Sequence, residues 1–193
     1  MPGPYVTDIP RIVVAVVRPA VHAVAQRLFV LTTERAGSAK YKPTVATFYE
    51  TGLVTAVYEH LLMSPTLAHL EIRHEMPYRG AIGAPKRVDL WLRPPKGGYQ
   101  HLIEAGDFTV KKVHADLKKA TSLNPSGANW FLAFFRGEEA GTEPADLIAA
   151  SLKRRNGLKA KVVKFNPALS VRFKVYRPDG TSDWFGAALL RAK

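Results

Sequence analysis

The chain has 193 residues, 28 Lys and Arg against 16 Asp and Glu, and a formal net charge of +12. Its 47% hydrophobic and 23% charged residues exclude collagen-like, coiled-coil and wholly disordered chains, and the length suits one domain with a sizeable core. The absence of Cys excludes disulfide scaffolds, thiolate zinc sites and a Cys nucleophile. No apolar run reaches the ~18 residues of a membrane span. The strongest run, Ile12 to Val17, stops at Arg18-Pro19 and lacks the flanks of a signal peptide. A soluble, cytoplasmic protein with no membrane partner is expected. The basic excess favours a polyanion, nucleic acid first, with an acidic protein partner as the other reading.

In chain order, Met1 to Pro10 reads as a loose arm, and Ile12 to Val17 as a short buried strand. Pro19 suits the first turn of a helix carrying Ala20, Val21, Val24, Leu28 and Leu31 at helical spacing. Residues 1–43 form this arm and helix, and 44–193 the main domain, one compact unit overall. A second helix is predicted from Thr44 to Met63, stopped by Ser64-Pro65. Leu70, Ile72, His74 and Met76 alternate with Glu71, Arg73 and Glu75, a first strand. After the turn-like Gly80 to Pro85, Val88, Leu90 and Leu92 alternate with Arg87, Asp89 and Trp91. Pro94 to Gly98 turns the chain into a third strand, Tyr99 to Phe108.

Val110, Val113, Leu117 and Ala120 then set a helical period flanked by Lys111, Lys112, Lys118 and Lys119. The apolar run Trp130 to Phe135 fits a strand buried on both faces. A helix from Pro144 to Asn156 ends in Lys153, Arg154 and Arg155 before Gly157. Strands follow at Lys161 to Phe165, at Leu169 to Tyr176 and around Trp184-Phe185. A strand meander, a crossover helix and a buried strand predict an α/β fold with a mixed central sheet flanked by helices.

Charged residues inside strands are the anomaly, because a buried carboxylate costs several kcal/mol unless paired or metal-bound. Asp89 interrupts the second strand and Glu104 the third. With the hairpin turn centred between residues 96 and 97, paired positions sum to 193, as 89 and 104 do. The two carboxylates then become cross-strand neighbours, a requirement for a divalent cation with oxygen ligands. In the alternative, they face solvent and pair with Arg87, Arg73 or Lys86.

The stretch Lys86 to Leu92, a turn, then His101 to Ala105 resembles the PD-(D/E)xK nuclease superfamily, over roughly Thr44 to Phe135. The resemblance implies a restriction endonuclease-like core and a metal-dependent endonuclease hydrolysing DNA phosphodiesters. It implies that Asp89 and Glu104 hold Mg²⁺ or Mn²⁺, with Glu50 of the preceding helix, followed by Leu53 and Val54, as an additional ligand. The family carries a Lys two residues after the Glu, where this chain has Gly106. A Lys of the next helix can replace it, or the fold retains nucleic-acid binding alone. Lys112 already has Asp116 as an i+4 partner, so Lys111 is chosen as the catalytic Lys. Arg87 is a further source of positive charge, although its pKa makes it a poor proton carrier.

Lys112, Lys118, Lys119, Lys153, Arg154 and Arg155 are assigned to the nucleic acid, duplex DNA, and double-strand cutting by so small a chain favours a homodimer. Arg172 and Lys174 share one exposed strand face and add phosphate contacts. Asp107 is either a strand ligand or the N-cap of the Lys-rich helix. Glu59 points away from Glu50, and His74, His101 and His114 sit at no metal-ligand spacing.

Overall fold

A computed structural model describes residues 9–36, 43–78, 86–96, 98–153 and 163–192. Helix α1 spans Ile9–Ala36 and α2 Glu50–Leu62; strands β1 (Glu71–Tyr78), β2 (Lys86–Arg93) and β3 (His101–Asp107) follow. Helix α3 (Val110–Leu123) leads to β4 (Ala128–Arg136), then α4 (Pro144–Lys153), β5 (Val163–Tyr176) and β6 (Ser182–Ala192). The six strands form one sheet in the order β1-β2-β3-β4-β6-β5. Only the β3–β4 pair is parallel, and α3 provides the crossover that a parallel pair needs. The expected mixed sheet flanked by helices is therefore present.

Strand β4 carries the packing logic. Trp130, Leu132 and Phe134 face a core shared with α1 and α2, whereas Phe131, Ala133 and Phe135 face Val113, Leu117 and Ile148 of α3 and α4. Period-two alternation between two buried faces makes the run continuously apolar. Strand β5 joins the two segments predicted separately, with a register shift between Phe165 and Ser170.

The N-terminal region differs from the expectation. Ile12 to Val17 is no strand but part of one helix that runs through Pro19. Val13, Val17, Ala20, Val21 and Ala25 recur at helical spacing and are buried in the α1–α2 core. The β-branched run fits either period locally, and burial of one helical stripe decides it. Pro19 and Ala15 are both exposed, so the Ala15 carbonyl that Pro19 leaves without a donor can reach water. By length and composition, Ile9–Leu31 is apolar enough to cross a membrane, with a mean hydropathy of 1.5. The predicted second helix is divided into a 3-10 turn, Val45–Thr47, and α2, which begins at Glu50. The arm before Ile9, the Gly80 to Pro85 turn and Arg154-Arg155 lie outside the described residues, as does the Lys153 side chain.

Pro19→Ala restores an exposed mid-helix hydrogen bond. It is expected to stabilise the protein by about 1–2 kcal/mol, less than the ~3 kcal/mol helix cost of Pro because the unfolded chain gains freedom. Urea unfolding measures this; unchanged or lower stability would show that the helix does not depend on continuity there.

Candidate functional site

The β2–β3 ladder pairs Leu90 with Ile103, Trp91 with Leu102 and Leu92 with His101, so the register is the one predicted from the turn. The ladder stops there. One step further stand Asp89 and Glu104, where the strands part. Asp89 Oδ2 accepts a hydrogen bond of 2.7 Å from the Ala105 N–H. Val88 does not share a face with Leu90 and Leu92 as expected: it packs with Leu102 and Ala120, while Leu90 and Leu92 join the α1–α2 core. The alternation therefore breaks at Asp89. Across the β1–β2 ladder, Glu75 lies between the partners of Leu90 and Val88 and has a φ of 48°.

Glu104 belongs to the α3 side of β3 and is only 4% exposed. Lys119 Nζ of α3 lies 2.6 Å from Glu104 Oε1 and donates to the Arg87 carbonyl at 2.8 Å. That Glu104 oxygen is fully buried, with the Lys119 ammonium as its charged neighbour. Burial first, then the nearby Asp89 and Asp116 carboxylates, push the Glu104 carboxyl up to about 7 against the pull of Lys119. Burial also raises Asp89, opposed chiefly by the Ala105 N–H and Lys119, and it raises Asp116.

Glu50 reaches the same place from the first turn of α2, where the helix dipole favours a carboxylate. Its Oε2 accepts from the Asp107 N–H at 3.1 Å, and its two oxygens take Lys112 Nζ at 2.7 and 2.8 Å. Gly106 makes the meeting possible. A Cβ built there would overlap Lys112 Nζ and the Glu50 carboxylate, and its φ of 149° disfavours other residues. A lysine from α3 thus fills the space over the strand position that has no side chain.

That lysine is Lys112; Lys111, the residue chosen from sequence, is exposed on the helix. The weak i+4 relation to Asp116 did not hold Lys112 away, because Lys112, Asp116 and Lys119 form one stripe that faces the carboxylates together. Lys112 and Lys119 are accordingly turned inward, not outward as assigned, whereas Lys118 is exposed. Asp116 is the site residue that the sequence reading missed, although its place on the Lys112 flank was its signal.

Asp107 is neither ligand nor cap: both its oxygens bind Arg136, and Thr109 caps α3 by accepting from the Lys112 N–H. Arg87 pairs with Glu75 at 2.7 Å, and Arg73 and Arg93 with Glu71. Glu59 is exposed. His101 is a core residue, 3% exposed, whose Nδ1 accepts from Trp130 Nε1 at 3.3 Å; burial lowers its pKa to about 4.

Glu50, Asp89, Glu104 and Asp116 against Lys112 and Lys119 leave two formal negative charges when all are ionised. Hard carboxylate oxygens with that surplus suit a divalent cation such as Mg²⁺. Among the described residues, no three carboxylate or imidazole groups stand close enough together to hold an ion as arranged. No protein-family model, curated protein or solved structure matches the chain.

A carboxyl raised from 4.5 to about 7 contributes stability that is complete below pH 4.5 and is lost as pH rises to about 7. The shift corresponds to about 3 kcal/mol. Urea unfolding at pH 4.5 and pH 8 should show the wild type losing stability by that order relative to Glu104→Gln. Equal losses in both proteins would mean that Glu104 ionises freely in the folded state.

Proposed function

We propose that the protein is a divalent-metal-dependent endonuclease that hydrolyses DNA phosphodiester bonds on a restriction endonuclease-like core. The observation that carries this reading is that Asp89, at the parted end of β2 and β3, lies near enough to couple electrostatically with both Glu50 and Glu104, with Lys112 Nζ over Gly106. An α2–β1–β2–β3–α3–β4 order with antiparallel β1–β2–β3 and parallel β3–β4 agrees with the core that the PD-(D/E)xK resemblance implies.

Asp89 and Glu104 would hold Mg²⁺ or Mn²⁺, with Glu50 as a further ligand. The ion, when bound, supplies Lewis-acid polarisation of the phosphate and offsets charge developing on it. The buried Glu104 carboxyl, whose charged neighbour is already a cation, Lys119, fits that role. Lys112 Nζ, held by both Glu50 oxygens, keeps its third proton for a water or a phosphate oxygen and orients the attack. Lys119 limits the repulsion between Glu104 and Asp89. The exposed Lys111 and Lys118, with Lys153, Arg154 and Arg155, supply phosphate contacts to duplex DNA. A homodimer working in the cytoplasm completes the reading, since one site per chain cuts one strand at a time.

Plasmid DNA with Mg²⁺ or Mn²⁺, against EDTA, tests it. Cleavage should require the ion, and Asp89→Asn and Glu104→Gln should each lower the rate by about 100-fold or more while binding persists. Lys112→Met should cost about 10-fold to 100-fold, and Lys111→Met should cut at close to the wild-type rate. Wild-type protein that binds DNA equally in EDTA and never cuts would instead be a nucleic-acid-binding module.

Binding should also weaken steeply with salt, by about 0.9 in log–log slope for each phosphate contact. A flat salt response would favour an acidic protein partner over nucleic acid.

A further inference from the structure

Beside the carboxylates lies an open groove of about 610 Å³, lined by Leu28, Ala46, Phe48, Tyr49, Glu50 and Arg136 among others. Its size is within the ~300–1,000 Å³ of small-molecule sites. Tyr49 is 80% exposed, and among the described residues nothing hydrogen-bonds its hydroxyl. The backbone that carries it is nevertheless fixed on both sides. Phe48 is 1% exposed, its ring 5.9 Å from that of Phe29, and its carbonyl accepts from Arg136 Nη1. Arg136 is held in turn by Asp107. The Tyr49 carbonyl accepts the Leu53 N–H at 3.1 Å, and Glu50 is tied to Lys112 and the Asp107 N–H. A large ring left in water on an anchored segment contributes little to folding, and it is presented where a flat partner can meet it at low entropic cost.

We propose that Tyr49 stacks on an unpaired nucleobase beside the phosphate held at the carboxylates, so that the preferred substrate carries an unstacked nucleotide there. This rests on the nuclease reading for the identity of the phosphate. The apolar walls Leu28, Ala46 and Phe48 suit the flat face of a base rather than a phosphate, and the adjacent Glu50 charge is matched by Lys112. Aromatic stacking is tolerant of sequence, so Tyr49 selects an unpaired base and not a particular one.

The probe is a duplex with a single unpaired 2-aminopurine, alongside the fully paired duplex, both titrated with Ca²⁺ present as an oxygen-binding cation. Wild type and Tyr49→Phe should quench the 2-aminopurine emission. Tyr49→Ala should lose the quench and bind the unpaired substrate about 10-fold more weakly, while binding the paired duplex within twofold of wild type. Circular dichroism establishes that the exposed substitution leaves the fold intact. Undiminished quench and affinity in Tyr49→Ala overturn the proposal. The readout needs no cleavage, so a protein that never cuts fails the nuclease reading alone, while the loss of quench still identifies the stacking residue.

Discussion

Asp89 and Glu104 stand one step beyond the last paired residues of β2 and β3, and the cost of burying two neighbouring carboxyls is met by what is built around them. A ladder could have continued there with apolar residues. Instead the strands part, Asp89 takes the Ala105 N–H with its side chain, and α3 turns a lysine towards Glu104. Replacing such a group by apolar side chains of similar volume is often neutral or stabilising. The protein keeps a carboxyl that resists ionisation and sits 4% exposed, which is hard to account for as a stabilising device.

The same constraint explains why α2 and α3, which pack on opposite faces of the sheet, meet at its end. Gly106 leaves a gap in the rim of β3, and through it the Glu50 carboxylate and Lys112 ammonium come together across 62 residues of sequence. Thr109 fixes the start of α3 by capping the Lys112 N–H, so cap and catalytic candidate share one residue. Arg136 ties Asp107 to the Phe48 carbonyl, which holds the N-terminus of α2 against the ends of β3 and β4. The absence of a side chain at residue 106 is thus what lets a lysine from another element stand there.

What the sequence made legible follows from which interactions are local. The hairpin register came from a Pro-Pro-Lys-Gly-Gly turn and the index sum across it, both short-range, and β4 came from an unbroken apolar run. Strand alternation failed at Val88 because the break is imposed by the parting of β2 from β3, not by composition. The Ile12 to Val17 run was ambiguous because β-branched residues satisfy either period over six positions, and the decision lies in a core formed with α2. The local pattern favours Lys111 over Lys112 only through an i+4 contact worth a few tenths of a kcal/mol. The contact that decided it was with Glu50, which no local pattern encodes. Asp107 was misread for the same reason, since its partner Arg136 lies 29 residues away.

The chain carries +12 overall, yet the group formed by Glu50, Asp89, Glu104, Asp116, Lys112 and Lys119 is locally negative. A polyanion is drawn in by the distant field and repelled at close range. On the proposed reading the two effects are reconciled by the cation. An ion among the carboxylates removes the local repulsion, and a phosphate beside the ion adds an oxygen ligand, so each strengthens the binding of the other by an equal factor. Before either arrives, the lysines offset the charge of the carboxylates. Both lysines are partly exposed, at 34% and 25%, and reach the site on long stems. Charge balance in the site is therefore supplied by side-chain ends from α3, while the strand ends, the helix cap and the Arg136 tie fix its outline.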